Sequence, residues 1–453
     1  MLNVTSSAAE PLLWRGSAPA TRGELHAVSA GIAARLPARR YLVNLCESRE
    51  AFLVAFMASL LANQIQLMPG AKTPAALDDL AARYPDSHRM TDAEVARLRA
   101  GLMASSTLTA GSIAATAETR HIFTGFTSGS TGELQAHDKY WRGLEASFTM
   151  NSAAIRAAIG IAPQASANIV GTVPSHHMYG IELTVLLPWF AGMSVHAERP
   201  LFPADVAAAL AELPHPRVLV STPLHLRALA ESAVRFPQIA LVVSATAPLD
   251  AELARRVENR LGCPLLEIFG STETCAIATR QTSRTAEWTM YGGVTIEAAP
   301  DHTRVNAAWF PGEQILNDVL EPRAAGTFVL RGRNSDVVEV GGKRASLADI
   351  TRRICSVPGV EDAVAFQPET SAGSANRVAA LIVSRGATAR QIVEVLAAGL
   401  DAVFLPRPLL LVDRIPRDAL GKIPRARLLE LARSVGRVQA VELDQEIRPA
   451  DVT

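Results

Sequence analysis

Cysteine is scarce in this sequence: four residues in 453 (Cys46, Cys263, Cys275 and Cys355), with no C-x-x-C spacing among them. That argues against a disulfide framework or a zinc cluster and makes a reducing compartment the default. An excess of charge is missing too, since Lys+Arg and Asp+Glu number 44 each. Nothing electrostatic draws such a chain to nucleic acid or to an anionic membrane surface. There is no long apolar run. The most apolar stretch, Ala51 to Ala62, ends at the polar Asn63 and Gln64 and falls short of the 18 or so residues that a membrane span needs. It reads as a buried helix. Met1 to Glu10 carries neither a basic segment nor an apolar one, so no signal peptide is expected and the expected location is cytoplasmic. Internal repeats and low-complexity tracts are also absent.

What is present is an alternation of strands and helices. Continuous apolar runs at Tyr41 to Cys46, Ile65 to Met68, His121 to Phe126, Asn168 to Val173, Met193 to His196, Arg217 to Ser221, Ile239 to Ser244 and Pro264 to Phe269 are separated by helical stretches. Strands that are apolar throughout, with helices between them, predict a largely parallel sheet covered on both faces. From Gly292 to Leu330 turns and short strands take over. Beyond Asp336 the order is helix, strand (Asp362 to Phe366), strand (Val378 to Ser384), and a helix capped by Thr388. The expected fold class is therefore α/β, in two domains. The first is a large N-terminal domain over residues 1–334, and the second a small one over residues 335–453, joined at the polar Asn334 to Asp336.

The segment Thr127, Ser128, Gly129, Ser130, Thr131, Gly132 follows a strand directly. Six small residues in a row expose backbone N–H groups and hydroxyls that can wrap a polyphosphate. It is not the Walker pattern, because no Gly-Lys-Ser/Thr closes it. Further motifs follow in order: Pro174-Ser175-His176-His177-Met178-Tyr179-Gly180, then Ala245-Thr246-Ala247-Pro248-Leu249, then Phe269-Gly270-Ser271-Thr272-Glu273. Asp318 stands eight residues before Gly326. Gly332 to Asp336, Gly342-Lys343-Arg344 and Pro416-Arg417-Asp418-Ala419-Leu420-Gly421-Lys422-Ile423 complete the series. Together these motifs resemble, over roughly residues 40 to 432, those of the adenylate-forming superfamily of acyl-CoA and aryl-CoA synthetases, peptide-synthetase adenylation domains and luciferases.

The resemblance implies an ATP- and Mg²⁺-dependent acid–thiol ligase. Such an enzyme joins a carboxylic acid, fatty or aromatic, to AMP and then passes the acyl group to the thiol of coenzyme A or to the phosphopantetheine of an acyl carrier protein. Bringing two anions together needs neutralising groups. By resemblance Glu273 holds the metal against the α-phosphate, and Thr272 donates its hydroxyl to the same phosphate. Phe269, Gly270, Ser271, Ala245 and Ala247 border the nucleotide. Asp318 accepts the ribose hydroxyls, and Arg333 contacts ribose or phosphate oxygens. Lys422 is carried into the site by the small mobile domain and bridges the carboxylate and the α-phosphate. His177 gates the passage between the acyl pocket and the thiol tunnel. Ser175-His176 stands where amino-acid-activating relatives carry Phe-Asp, which favours an acid without an α-amine.

Two departures from the family pattern accompany these matches. The loop continues Leu134-Gln135-Ala136, so glutamine replaces the usual loop lysine, and Lys139 lies nearby but out of register. The first subdomain is also short. The missing loop lysine keeps open a catalytically weakened nucleotide-binding scaffold, and a stand-alone amino-acid adenylation enzyme is a further alternative that Ser175-His176 disfavours.

Overall fold

The computed structural model describes residues 7–70, 72–103, 117–128, 134–299, 302–333, 337–340, 343–368, 377–397, 400–417, 423 and 427–435. The chain divides into two compact units, Met1–Thr295 with Val305–Gln314 and Ile296–Arg304 with Ile315–Thr453. The expected boundary at residues 334–336 lies outside the described residues.

In the first unit the strands that position the site are β1 (Pro11–Arg15), β2 (Ala18–Thr21), β3 (Tyr41–Asn44), β4 (Ile65–Met68), β5 (Ser87–Met90), β6 (His121–Ser128) and β7 (Leu134–Tyr140). They continue with β8 (Asn168–Gly171), β9 (Ser194–His196), β10 (Arg217–Ser221), β11 (Leu241–Ser244), β12 (Leu265–Ser271), β13 (Cys275–Arg280) and β14 (Glu287–Met290). One sheet has the order β5-β3-β4-β6-β7, parallel except for the antiparallel β6–β7 pair. Another sheet runs β14-β13-β12-β11-β10-β8-β9-β1-β2. Its β9, β8, β10, β11 and β12 pair in parallel, whereas β12–β13 and β13–β14 are antiparallel.

Continuous apolar sequence and parallel pairing go together here. Val218, Leu219 and Val220 of β10, and Leu241, Val242 and Val243 of β11, are all fully buried, because the sheet is covered on both faces. Helices Pro203–Glu212, Pro223–Glu231 and Ala251–Leu261 contribute Val206, Leu210, Leu226, Leu253 and Val257 to one covering layer. The α/β class expected from the sequence is the class observed. Helix Arg49–Leu61 is buried on nearly every side and is started by Ser48, whose side chain accepts the N–H of Ala51. Among the described residues no helix is long and apolar enough to cross a membrane.

Arg49 ties the two sheets of this unit together. The residue is 3% exposed. It donates to the carbonyls of Gly171 (2.9 Å) and Val173 (3.2 Å) at and just past the end of β8, and of His196 (2.7 Å) and Glu198 (2.6 Å) at and just past the end of β9. Burial lowers its pKa to about 10, still far above neutrality, so the charge persists.

The second unit is an α+β arrangement. Strands Val360–Phe366 and Ala379–Ser384 are antiparallel, and Leu409–Leu411 adds in parallel to the second of them. Helices Leu347–Cys355 and Ala389–Ala397 place Ile350, Ile354 and Ile392 in the core of this unit beside Ala363, Ala380 and Ile382. Thr388 caps the second helix as expected, its hydroxyl accepting from Gln391 N–H at 3.3 Å.

Candidate active site

Glu273 sits on the turn between β12 and β13. Gly270 is required there, because a Cβ at that position would lie 2.2 Å from the carbonyl oxygen of Cys275. Cys275 itself takes a left-handed backbone, φ 60°, a region that residues other than glycine enter only when surroundings enforce it. The enforcement is visible. Ser271 Oγ accepts from the N–H groups of both Glu273 and Thr274 at 3.2 Å, and Thr274 Oγ1 donates to Cys275 O at 2.8 Å. The Glu273 carboxylate stays one-third exposed, with His137 Nε2 at 3.9 Å from Oε1. Burial lowers the His137 pKa while Glu273 opposes the shift. A cavity of about 310 Å³ opens beside the turn, lined among others by His137, Lys139, Glu273, Thr274, Trp309 and Gln314.

Thr272 reaches toward β6. Its methyl lies 3.6 Å from the place a Cβ on Gly125 of β6 would occupy. Thr127 and Ser128 end β6, their backbones opposite Gln135 and Leu134 of β7. Gly129, Ser130, Thr131 and Gly132 lie outside the described residues. Phe269 packs against Trp288, ring centroids 5.3 Å apart at 56°, and the Arg280 guanidinium lies 4.3 Å over the Trp288 ring. Ala245, buried, and Ala247, half-buried, flank Thr246, which has φ 80°.

The His176-His177 segment follows β8. Gly180 is needed for a close approach, since a Cβ there would fall 2.0 Å from Pro174 O. His177 is half-buried, and its carbonyl accepts the Ile181 N–H at 2.8 Å where the short helix Met178–Ile181 begins. Tyr179 Oη donates to Val243 O at 2.9 Å, fixing this segment to the strand that leads into Ala245 to Ala247. The His176 pKa is lowered to about 4, mostly by burial and then by the nearby charges of Lys72 and Arg199.

A pH dependence follows from that imidazole. In the folded chain His176 stays neutral until about pH 4, whereas in the unfolded chain it takes a proton near pH 6.5. The unfolded state therefore binds more protons between these values, and stability falls as pH drops from about 6.5 to 4. Urea unfolding at pH 7 and pH 4.5 should show His176→Asn losing less stability than the unsubstituted protein, by on the order of 2 kcal/mol after discounting for the exposed part of the ring. Parallel losses in the two proteins would contradict the neutral imidazole.

In the second unit Asp318 is 7% exposed, and its strand, Asp318–Pro322, sets it directly opposite Arg333 of strand Thr327–Arg333. The two residues read from the sequence as ribose ligands are thus register partners. Lys422 lies outside the described residues. Arg417, from the same motif, binds Asp362 through two hydrogen bonds of 2.9 and 2.6 Å and so anchors the approach to that segment.

Two polar side chains lie beneath the Glu273 turn: Lys139, which the sequence places only near the loop, and Glu182, which no motif singles out. Lys139 of β7 is 6% exposed and donates to Glu273 O at 2.7 Å. Glu182 is 5% exposed and accepts the Ala276 N–H at 2.9 Å. The one available signal for Lys139 was its spacing. It lies four residues past Gln135, on the same face of an alternating strand.

Comparison with known proteins settles the family. The AMP-binding enzyme family matches residues 25–306. The chain belongs to this family. It is 30% identical over 312 residues to a 4-coumarate–CoA ligase of Halorhodospira halophila, covering 66% of this chain and 73% of that relative. In fold it is similar to ATP-bound MatB from Rhodopseudomonas palustris, with a TM-score of 0.78 at 19% identity over 95% of this chain and 97% of the other. It is also similar to the O-succinylbenzoate coenzyme A synthetase (MenE) of Bacillus subtilis in complex with AMP, with a TM-score of 0.78 at 19% identity, covering 94% of this chain and 96% of that one. This AMP-binding enzyme is an AMP-forming acid–thiol ligase. The adenylate-forming resemblance read from the motifs is thereby borne out.

Proposed function

We propose that the enzyme activates an aromatic carboxylic acid without an α-amine and delivers it to coenzyme A. The observation that carries this reading is the likeness to a 4-coumarate–CoA ligase along 73% of that relative's length. Local electrostatics support the missing amine. Lys72 and Arg199 lie close enough to His176 to lower its pKa, and a substrate ammonium in that field would be repelled.

In the first half-reaction a carboxylate oxygen attacks the α-phosphorus of ATP, the α–β anhydride bond breaks and pyrophosphate leaves. In the second, a thiol attacks the acyl carbon, the acyl C–O bond breaks, AMP leaves and the thiol proton is lost to solvent. The Glu273 turn suits a hard cation such as Mg²⁺. It offers one exposed carboxylate amid the hydroxyls of Ser271 and Thr272, and Mg²⁺ is typically held by one or two carboxylates plus phosphate oxygens. Bound there, the ion would supply positive charge at the α-phosphate. Thr272 would donate to a phosphate oxygen, Asp318 and Arg333 would hold the ribose, and Phe269, Ala245 and Ala247 would border the base. Lys422 would neutralise the charge that builds between the acid and the α-phosphate. His177 would separate the acid from the thiol passage. The mobile small domain would begin at residue 335.

Pyrophosphate release measured over a panel of acids with ATP and Mg²⁺ tests this reading. Arylacrylic and benzoic acids should give the highest kcat/KM, with AMP and the acyl-CoA thioester as products. Preference for a fatty acid, or for a carrier-protein thiol over coenzyme A, would replace the substrate assignment. No acid-dependent release at all would instead favour a nucleotide-binding scaffold.

A further inference from the structure

The turn that carries Glu273 is held from beneath by two buried ionisable side chains that belong to different elements. Lys139 projects from β7, on the same side of the strand as Gln135 and His137, and its ammonium donates 2.7 Å to the Glu273 carbonyl. Glu182 opens the π-helical turn Glu182–Leu186, which continues directly from the helix after His177. Its Oε2 accepts from Ala276 N–H at 2.9 Å, and the same oxygen accepts from Ser147 Oγ (2.5 Å) and Asn151 Nδ2 (3.2 Å). Tyr291 Oη, donating 2.7 Å to Asn151 Oδ1, steadies that amide in turn.

Taking charged groups out of water is costly, and it is sustained only where the hydrogen bonds they make are good ones. Both side chains direct hydrogen bonds at the backbone of one turn, on either side of the left-handed Cys275. With Ser271 and Thr274 satisfying the intervening groups, the peptide groups that fix the direction of the Glu273 side chain are held on both sides.

We infer that Lys139 and Glu182 are positioning residues for the Glu273 carboxylate, clamping its turn through the Glu273 carbonyl and the Ala276 amide so that the carboxylate stands ready for the nucleotide's metal ion before ATP arrives. Lys139 thereby supplies a positive charge on the same face of β7 as Gln135, the residue that stands where the family's loop lysine is expected. Glu182, being continuous with the His177 helix, joins the turn to the segment beside the expected acyl pocket. The inference rests on the proposed role of Glu273 as metal ligand.

Four variants test it: Lys139→Met, Lys139→Gln, Lys139→Arg and Glu182→Gln. Amide hydrogen exchange in the ligand-free protein is read first, because it needs no turnover. Lys139→Met should speed exchange of the Glu273 to Ala276 amides by roughly tenfold or more, as expected when a charge-assisted hydrogen bond is lost. Amides of β10 and β11 should be unchanged. In pyrophosphate release, Lys139→Met should raise the KM for ATP with Mg²⁺ about tenfold, leave the KM for the acid within about threefold, and be largely rescued in Lys139→Arg. Glu182→Gln, which keeps an acceptor for Ala276 but loses the charge, should shift both readouts in the same direction by less. If Lys139→Met does not fold, Lys139→Gln carries the same comparison. Unchanged exchange in the turn overturns the inference, and so does an equal rise in both KM values with a general loss of protection. Failure of the unsubstituted protein to release pyrophosphate with any acid would defeat the functional reading instead, while the exchange data would still decide whether the clamp exists.

Discussion

Glu273→Gln should lower acid-dependent pyrophosphate release by about 10²–10³ while leaving the melting temperature within a few degrees of the unsubstituted protein. The carboxylate is one-third exposed, and among the described residues its ion-pair contact is the long one to His137 at 3.9 Å, so its charge contributes little to folding. The turn is held through backbone groups and through the hydroxyls of Ser271 and Thr274, none of which the amide disturbs. What the substitution removes is the negative charge that would hold a cation against the α-phosphate. Steady-state release across a Mg²⁺ titration, with a melting curve alongside, checks the prediction. Near-normal turnover with ordinary Mg²⁺ dependence would remove Glu273 from the metal site.

A second large effect should divide the two half-reactions. Lys422→Ala is expected to cripple acyl-AMP formation, because the charge building between carboxylate and α-phosphate then lacks its neutraliser. Transfer from chemically supplied acyl-AMP to the thiol should survive, since in a two-state small domain the lysine has already rotated away. Ser335→Pro should do the reverse, leaving adenylation in place and slowing thioester formation by restricting the backbone at the proposed hinge. The measurements are pyrophosphate release and thioester yield for each variant. Equal loss of both half-reactions in both variants would make Lys422 and the hinge structural, and the two-state scheme would fall.

How far the sequence could be read depended on what kind of surface each segment faces. Ile65–Met68 and Arg217–Ser221 match the expected bounds to the residue, because strands buried on both faces are mostly apolar. Strand Leu134–Tyr140 was missed. Its LQAHDKY alternates small, polar and charged groups, and it exists as the antiparallel partner of β6 at the edge of its sheet. Lys139 reads as out of register for a loop lysine, and its four-residue spacing from Gln135 gains meaning only once the segment is known to be a strand. Glu182 was invisible for another reason. A carboxylate in an apolar helix gives no hint of its partners when Ser147, Asn151 and Ala276 stand 35, 31 and 94 positions away. The motif residues were easier to find, since the close approaches at Gly180 and Gly270 force glycine into fixed places in the text.

The buried Arg49 bears on how the chain is made. Its carbonyl partners at Gly171 and Glu198 lie 122 and 149 positions further along. At synthesis rates of about 5–20 residues per second, Arg49 waits roughly 6–30 s for them. Through that interval the apolar helix that begins at Arg49 has no finished place in which to bury its guanidinium, although β3 and β4 on either side of it have already been made. The strands of the amino-terminal sheet can pair once β7 has been made, but the place of Arg49 is completed only when the neighbouring sheet forms. A chain halted near residue 160 would keep an almost wholly apolar helix within reach of chaperones until the strands from β8 to β9 emerge and their carbonyls accept the charge.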